Sequence, residues 1–564
     1  MIKRLVIFFL LLLPAFSWLL QPGYFPMHDD LQIARQLEMD ACFHDGQIPC
    51  RWSKNLGYGF GYPLFNFYPP LPYLIGQIYR TFGLAYIDVV KAVGVTGFLL
   101  TFVFMYLLGE KLWGKKGGLI SAVIYSYAPY HSVDFYVRGA MNEFWAMAVY
   151  PAIFLCLLLL VRTNRSRYVP LTALSIAALM LSHNPMLMIF APVAVAWTLF
   201  WLWQEKTFKS LPKIILSGVW GFGLAAFFTL PVLLEQKFAH VETLTIGYFN
   251  FLAHFLDLNQ IFFRINWGYG ESILGSGDTM SFALGYLQWI LPALALVFAL
   301  AIKKFRRRLP LMLLLLLFTL TALFLSHSRS TPIWLKFKPL EFLQFPWRFL
   351  TVAVFSASLL SGAVAWLTFK RFSGKFVLIL VLTLSLVLNA NYFRPRTWYP
   401  EMTDADKFSG QSWRWQITGS IFDYLPVYAP LPPADPAGAD LGITSGQGTF
   451  VTLLKNSYKQ EYAVNIFTPT ATAEIQTFYF PGWKVYLDGR RVDIDPARDP
   501  LLGRMQVDLT AGTHRLLAVF TATPVRRLGD LISLFSWSCL LLSPLGFYLL
   551  HRRRRAVNSP VIGV

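Results

Sequence analysis

The sequence predicts a polytopic α-helical membrane protein of about 12 transmembrane helices, with a small β-sandwich-like domain held on one side of the bilayer. Three observations predict it. Apolar runs such as Leu5–Leu20, Gly94–Leu108, Phe144–Val161, Leu309–Leu325 and Leu531–Leu550 recur through the 564 residues, and about 20 mostly apolar helical residues cross a bilayer. Only 14% of residues are charged and mean hydropathy is +0.49, whereas a soluble protein carries about 25% charged residues. One late segment then changes texture, alternating apolar and polar residues in period two. This composition excludes a disordered chain, a disulfide scaffold and an ordinary soluble enzyme. The net charge of +19 fits either a nucleic-acid partner or a membrane topology signal, depending on where Lys and Arg sit.

Twelve spans begin near residues 5, 91, 117, 143, 168, 184, 213, 281, 309, 347, 375 and 529. With the N-terminus inside, every second connection is basic. These are Lys3/Arg4, Lys111/Lys115/Lys116, Arg162/Arg165/Arg167, Lys206/Lys209/Lys213, Lys303/Lys304/Arg306/Arg307/Arg308, Lys370/Arg371/Lys375 and Arg552–Arg555. Together they hold 23 basic residues against two acidic ones, Glu110 and Glu205, so this face carries +21 and the remainder −2. The positive-inside rule then puts both termini in the cytoplasm and makes the charge a topology record, with no nucleic-acid partner.

The elements follow in order. Leu5–Leu20 reads as an uncleaved first span because Trp18-Leu19-Leu20 continues the run; Ala15-Phe16-Ser17 leaves a cleaved signal peptide as the alternative. Pro69–Phe82 is apolar but short and proline-led, which suits a re-entrant or interfacial helix on the outer side. Cys42 and Cys50 share the first outer loop, where an oxidising compartment permits a disulfide that spacing alone does not decide. Cys156 and Cys539 lie inside spans as small apolar residues. The expected division is 1–391 for the transmembrane domain, with outer loops at 21–90 and 235–280, then 392–528 for an extracytoplasmic β-rich domain. Residues 529–564 hold the last span and a basic cytoplasmic tail. Within the β-rich part, Asp488-Gly489 and Ala511-Gly512 read as hairpin turns.

The residues able to carry chemistry collect on the outer side. His28-Asp29-Asp30 follows the first span and precedes Leu31, Ala34, Leu37 and Ala41 at helical spacing. Asp29 or Asp30 can cap that helix, or serve as a general base whose pKa is raised by partial desolvation. Trp52 and the run Gly57–Pro63, with Tyr58, alternate glycines with flat rings, as sugar or lipid sites do and as interfacial anchoring also explains. Asp134, Arg138, Asn142 and Glu143 cluster at two span ends. There Arg138 and Glu143 make an ion pair, or Arg138 holds a phosphate while Glu143 is a second acid. His183, His240, His254, Asp257, Arg264, Glu271 and Asp278 populate later outer turns, and neutral imidazoles there leave a divalent metal open. Arg348, in Pro346-Trp347-Arg348, can snorkel to lipid phosphate or grip a substrate phosphate through its planar fork. Gly109–Lys115 fits a phosphate-loop spacing but lacks the Ser/Thr and follows an apolar helix. Asp493-Ile494-Asp495 lies in a β-hairpin.

These features resemble the GT-C class of membrane glycosyltransferases, which includes oligosaccharyltransferases, protein mannosyltransferases and the lipid A aminoarabinose transferase. The resemblance is closer to bacterial YfhO-like proteins and the membrane proteins labelled "6-pyruvoyl-tetrahydropterin synthase-related". It rests on His28-Asp29-Asp30, Pro49-x-Arg51-Trp52, Gly57–Pro63, Phe67–Pro70, the turn Leu107–Gly114, Gln344–Arg348 and Phe480–Gly489. The resemblance implies a GT-C-like fold and transfer of a sugar from a polyprenyl-phosphate donor. The acceptor is an envelope glycan, lipid or protein on the outer face of the bacterial cytoplasmic membrane. It also implies Asp29 or Asp30 as base, Glu143 as second acid, and Arg138, Arg264 and Arg348 on the donor phosphate, with His28, His183, Trp52 and Tyr58 as further substrate contacts. The oligosaccharyltransferase acidic motif has no match in the second outer loop, so no cofactor is assigned and a divalent metal stays possible. The alternatives are a transporter or flippase of lipid-linked glycan, and a non-catalytic envelope assembly protein.

Overall fold

Helices that are apolar all round bury themselves against one another or meet lipid, and each of the twelve predicted spans is helical. The computed structural model describes residues 2–275, 277–366, 374–419 and 421–557; predicted basic residues Lys370 and Arg371 and the tail end 558–564 lie outside them. Among the described residues, seven helices are long and apolar enough to cross a membrane: Tyr86–Ser126, Met141–Thr163, Asn184–Gln204, Leu211–Phe238, Leu309–Ser326, Pro346–Trp366 and Lys375–Tyr392. Three shorter apolar helices, Val6–Leu20, Tyr168–Ser182 and Tyr286–Ala301, and the final helix Pro524–Val557 occupy the other predicted positions. Tyr86–Ser126 contains two of the predicted spans. Gly114 breaks it at φ 79°, ψ 175°, and the two legs close so tightly that a Cβ on Gly109 would lie 2.9 Å from the Cα of Gly118. The stretch with phosphate-loop spacing is therefore a helical hairpin.

Four of the basic connections, those around Trp113, Arg162, Lys213 and Arg308, come together at one end of the bundle. Arg162 pairs with Glu205 at 2.9 Å, Lys213 reaches Oδ1 of Asn164 at 2.9 Å, and Trp113 and Arg308 both contact the Trp366 ring. Glu143 sits in the first turn of the helix whose last turn holds Arg162, about 28 Å away by helical rise. The first helix is tied into the bundle where Tyr127 and Tyr136 hydroxyls donate to the carbonyls of Leu11 and Ala15.

The predicted short helix is Leu71–Thr81, with Pro72 in its first turn; it lies against the helix Gln32–Asp45, where Gln77 and Arg80 both donate to Asp40. Cys42 and Cys50 form a disulfide, with Cα atoms 5.4 Å apart, that closes the end of Gln32–Asp45 onto the returning chain.

The period-two segment folds as one continuous antiparallel sheet of six strands: β1 (Leu441–Ser445), β2 (Gly448–Lys455), β3 (Lys459–Phe478), β4 (Trp483–Leu487), β5 (Arg490–Val492) and β6 (Arg504–Phe520). The order is β1-β3-β6-β4-β5, with β2 also on β3. Asp488-Gly489 is the β4–β5 turn, with φ 50° and 81°. Ala511-Gly512 is not a turn. Met505–Leu509 and Arg515–Phe520 belong to the single strand β6, which bends at Gly512 (φ 120°) where β3 passes three residues between Ile466 and Thr470 against one on β6. Gly512 takes a φ that costs other residues dearly, so the strand bends there without reversing.

Loop one fastens the sheet to the bundle. Trp52 packs on Phe480, Trp483 and Phe520, and only glycine fits at Gly61, where a Cβ would lie 2.5 Å from the Trp52 ring nitrogen. Below it, Arg51 pairs with Asp530 at 2.6 Å and Arg526 with Glu235 at 2.8 Å, while Asn66 donates to Glu235 at 3.0 Å. The Arg526 guanidinium is fully buried and lies 5.2 and 4.9 Å from the ring centroids of Phe480 and Phe520. Removing one member of a buried pair strands the other's charge. Arg526→Ala is therefore expected to cost about 3–5 kcal/mol of stability, read by denaturant unfolding of the detergent-solubilised protein; an unchanged midpoint contradicts this assignment.

Candidate functional site

Asp29 owes its position to backbone pairing with a distant segment. The N–H groups of His28 and Asp29 donate to the carbonyls of Val137 and Arg138, both at 2.9 Å. Gly139, at φ 68°, permits the approach, since a Cβ there would lie 2.9 Å from the Asp29 carbonyl oxygen. The first-loop acid is thus placed beside Arg138, at the bundle end opposite the basic connections, and both line a cavity of about 1000 Å3.

On one wall Arg35 donates to Oδ2 of Asp29 at 2.6 Å and to the Tyr68 hydroxyl at 3.0 Å, and its guanidinium stacks 4.4 Å from the Tyr68 ring centroid. Gln32 also reaches Oδ2, and Oδ1 of Asp29 has no donor among the described residues. Asp423 faces the same cavity and has no hydrogen-bond partner among the described residues. Burial pushes it up to about 7 against the lowering pull of Arg35, and the Asp29 charge adds to the rise.

On the other wall a buried charge cluster joins three segments. Glu143 is inaccessible to solvent. Its carboxylate accepts from Tyr130 at 2.5 Å, from Arg138 at 3.1 Å and from Arg348 at 3.2 Å. Arg138 also bonds Asp134, in the π-helical turn Val133–Arg138, and stacks on Trp347. Arg348 donates further to the Leu343 carbonyl and to Gln344. Burial and the Glu143 charge push Asp134 well above the ordinary carboxylate range, and the side chains of Arg138 and Arg348 line the cavity. His183 caps the helix Asn184–Gln204: its Nδ1 accepts from the Met186 N–H at 3.2 Å, which assigns the ring proton to Nε2 as a donor. His28 is buried enough to lower its pKa and its Nε2 contacts the Tyr269 carbonyl at 2.9 Å. Val232, Leu233, Phe249, Pro339 and Phe342 supply an apolar flank.

Of the residues singled out from sequence, His28, Asp29, Arg138, Glu143, His183 and Arg348 converge here. Glu143 does so as the counter-ion of two arginines. Four others lie elsewhere. Asp30 pairs with Lys407 at 2.5 Å, Arg264 faces Asp278 at 3.6 Å, Trp52 is core, and Tyr58 lines a smaller second cavity. Asp30 points away because neighbouring side chains diverge at a helix start, and Arg264 is drawn off by a nearer acid. Asn142 of the Asp134–Glu143 cluster, and Tyr68 and Gln344 of the motifs that carry the resemblance, also line the cavity; sequence reasoning missed Arg35 and Asp423. Arg35 was within reach of helical spacing, six residues past Asp29, whereas Asp423 comes from a segment with no local signal. Among the described residues no three His, Cys, Asp or Glu side chains converge as metal ligands.

No family model and no curated protein matches the chain. Among solved structures it is similar to the arabinofuranosyltransferase AftD from Mycobacteria, with 16% identity, 71% of this chain and 28% of that chain covered, and a TM-score of 0.45. It is also similar to ArnT from Cupriavidus metallidurans bound to undecaprenyl phosphate, at 15% identity, coverages of 68% and 62%, and a TM-score of 0.40. The third is the Archaeoglobus fulgidus oligosaccharyltransferase tethered to an acceptor peptide, at 14%, 71%, 56% and 0.40. The chain spans less than two thirds of the length of each.

Asp423 holds its proton in the fold up to a pH near 7 but releases it near 4 when unfolded. Its contribution to stability therefore falls as pH rises between those values. Asp423→Asn removes the fall, so the variant should match the native chain in thermal midpoint near pH 4 and exceed it at pH 8. A constant difference across that range rules out the assigned ionisation.

Proposed function

We propose that the chain is a GT-C-type membrane glycosyltransferase. It transfers a sugar from a polyprenyl-phosphate donor to an envelope glycan, lipid or protein acceptor on the outer face of the cytoplasmic membrane. The observation that carries this reading is that the Asp29 carboxylate and the Arg138/Arg348 cations share one cavity with an apolar flank. The basic connections at the opposite bundle end support cytoplasmic termini and an extracytoplasmic sheet domain over 392–528. The Phe480–Gly489 motif, wrapped around Arg526, supports kinship with the YfhO-like group.

The chemistry needs few groups. The acceptor hydroxyl oxygen attacks the anomeric carbon, and its proton passes to Asp29, whose Oδ2 is fixed by Arg35 while Oδ1 stays open. The bond from the anomeric carbon to the phosphate oxygen breaks, and its electron pair leaves on the lipid phosphate. Arg138 and Arg348, already oriented by Glu143, stabilise that charge in a site shielded from water. Tyr68 offers an aromatic ring for the sugar, and the Val232–Leu233 and Phe342 flank suits prenyl units.

Purified protein in proteoliposomes, given a polyprenyl-phosphate sugar and an acceptor, is expected to release free polyprenyl phosphate. Asp29→Asn should lower kcat by about 100-fold or more while donor binding persists, and Arg348→Gln should weaken donor binding. Full turnover in Asp29→Asn overturns the base assignment. Movement of donor across the vesicle without turnover supports transport instead.

A further inference from the structure

A second cavity, of about 270 Å3, lies where loop one meets the segment leading into the sheet, lined among others by Lys54, Asn55, Tyr58, Trp413, Asp440 and Lys455. Its geometry is built. Tyr58 is held in the left-handed region at φ 60°, a conformation that bulky residues adopt only under constraint. The constraint is visible: its N–H donates to the Ile417 carbonyl at 2.8 Å and its carbonyl accepts from the Ala437 N–H at 2.9 Å. The wall between the two cavities is the helix Gly410–Thr418. Trp413 and Ile417, one turn apart, line the second cavity, while Trp415, about 200° round the axis from Trp413, lines the first.

The lining selects a chemical class. Lys54 is paired with Asp45 at 3.3 Å and Lys455 with Asp440 at 2.8 Å, so the cations are compensated and an anion gains little. Hydrogen-bonding capacity is left open. Asn55 donates to Glu38 through its amide and its backbone, which leaves Oδ1, and the Tyr58 hydroxyl and Trp413 ring nitrogen have no partner among the described residues. An apolar ligand would cover these groups without satisfying them. A sugar ring offers a C–H face to an aromatic ring and hydroxyls to donors and acceptors. We propose that this cavity is a binding subsite for one neutral sugar residue of a glycan chain. Binding here is independent of whether the larger cavity transfers sugar.

Saturation-transfer NMR on the full-length protein in lipid nanodiscs tests it, with disaccharides of mannose, glucose and arabinose as probes and glucuronate as the anionic control. At least one disaccharide is expected to bind, and Trp413→Ala and Tyr58→Ala should each weaken it at least about tenfold. Gly438→Leu supplies a variant that removes no contact, because a Cβ at Gly438 meets nothing within 4 Å. The added bulk at this exposed lining position should weaken binding, whereas Asp29→Asn, in the other cavity, should leave it intact. No disaccharide binding, binding of glucuronate alone, or binding unchanged in Gly438→Leu overturns the subsite. A protein that binds disaccharides yet transfers nothing defeats the transferase reading only; one that transfers sugar but shows no such binding defeats the subsite only.

Discussion

A carboxylate buried at the end of an apolar helix must be neutralised where it stands, and Glu143 is the group around which this site is organised. Desolvating a carboxylate costs several kcal/mol even after relaxation. Glu143 offsets that with three donors from two parts of the chain: Tyr130 and Arg138 from one stretch, and Arg348 from another. Because Arg138 and Arg348 are held by the same acid, the turn Val133–Arg138 and the helix beginning at Pro346 are brought to one point. Residues 137–139 then present the backbone on which His28 and Asp29 dock. The base and the cations proposed for the reaction are therefore consequences of one buried charge.

The second constraint is the fastening of the sheet. Arg526 leaves two guanidinium nitrogens without hydrogen-bond partners, and the faces of Phe480 and Phe520 take their place. Gly482 is required there, since a Cβ would lie 2.8 Å from the Arg526 Nη1. This explains why a glycine sits within an aromatic motif at the start of β4. Glu235, the partner of Arg526, precedes Gln236 in the wall of the large cavity. Seating the sheet and shaping that wall are thus one structural event, and the Trp415–Tyr424 segment completes the enclosure by bringing Asp423 into it.

The helices were legible because membrane burial writes itself into composition: long apolar runs and basic connections at alternate turns need no tertiary knowledge. The hairpin at Gly114 was legible in the same way, through the basic residues that flank it. The site was legible only where the chain announces chemistry locally, as at His28-Asp29-Asp30 and at Arg138 with Glu143. Trp52 and Tyr58 share one aromatic-glycine pattern yet have different fates, one in the core and one at a cavity, because a sequence pattern records ring type and not the surface each ring meets. Gly512 was read as a turn because a glycine that bends a long strand looks the same as one that reverses it.

By itself the sequence determined the span positions, the basic connections between them, the acidic loop and the presence of a strand-rich segment, all properties that depend on local periodicity and composition. Only the tertiary structure decided that Asp29 and not Asp30 faces the cavity, that Glu143 is a counter-ion, that Arg35 and Asp423 line the cavity, and that Arg264 does not. The reason is physical. These assignments depend on which groups satisfy a buried charge or hydrogen bond across separations such as the 205 residues between Glu143 and Arg348, and no local pattern encodes that choice.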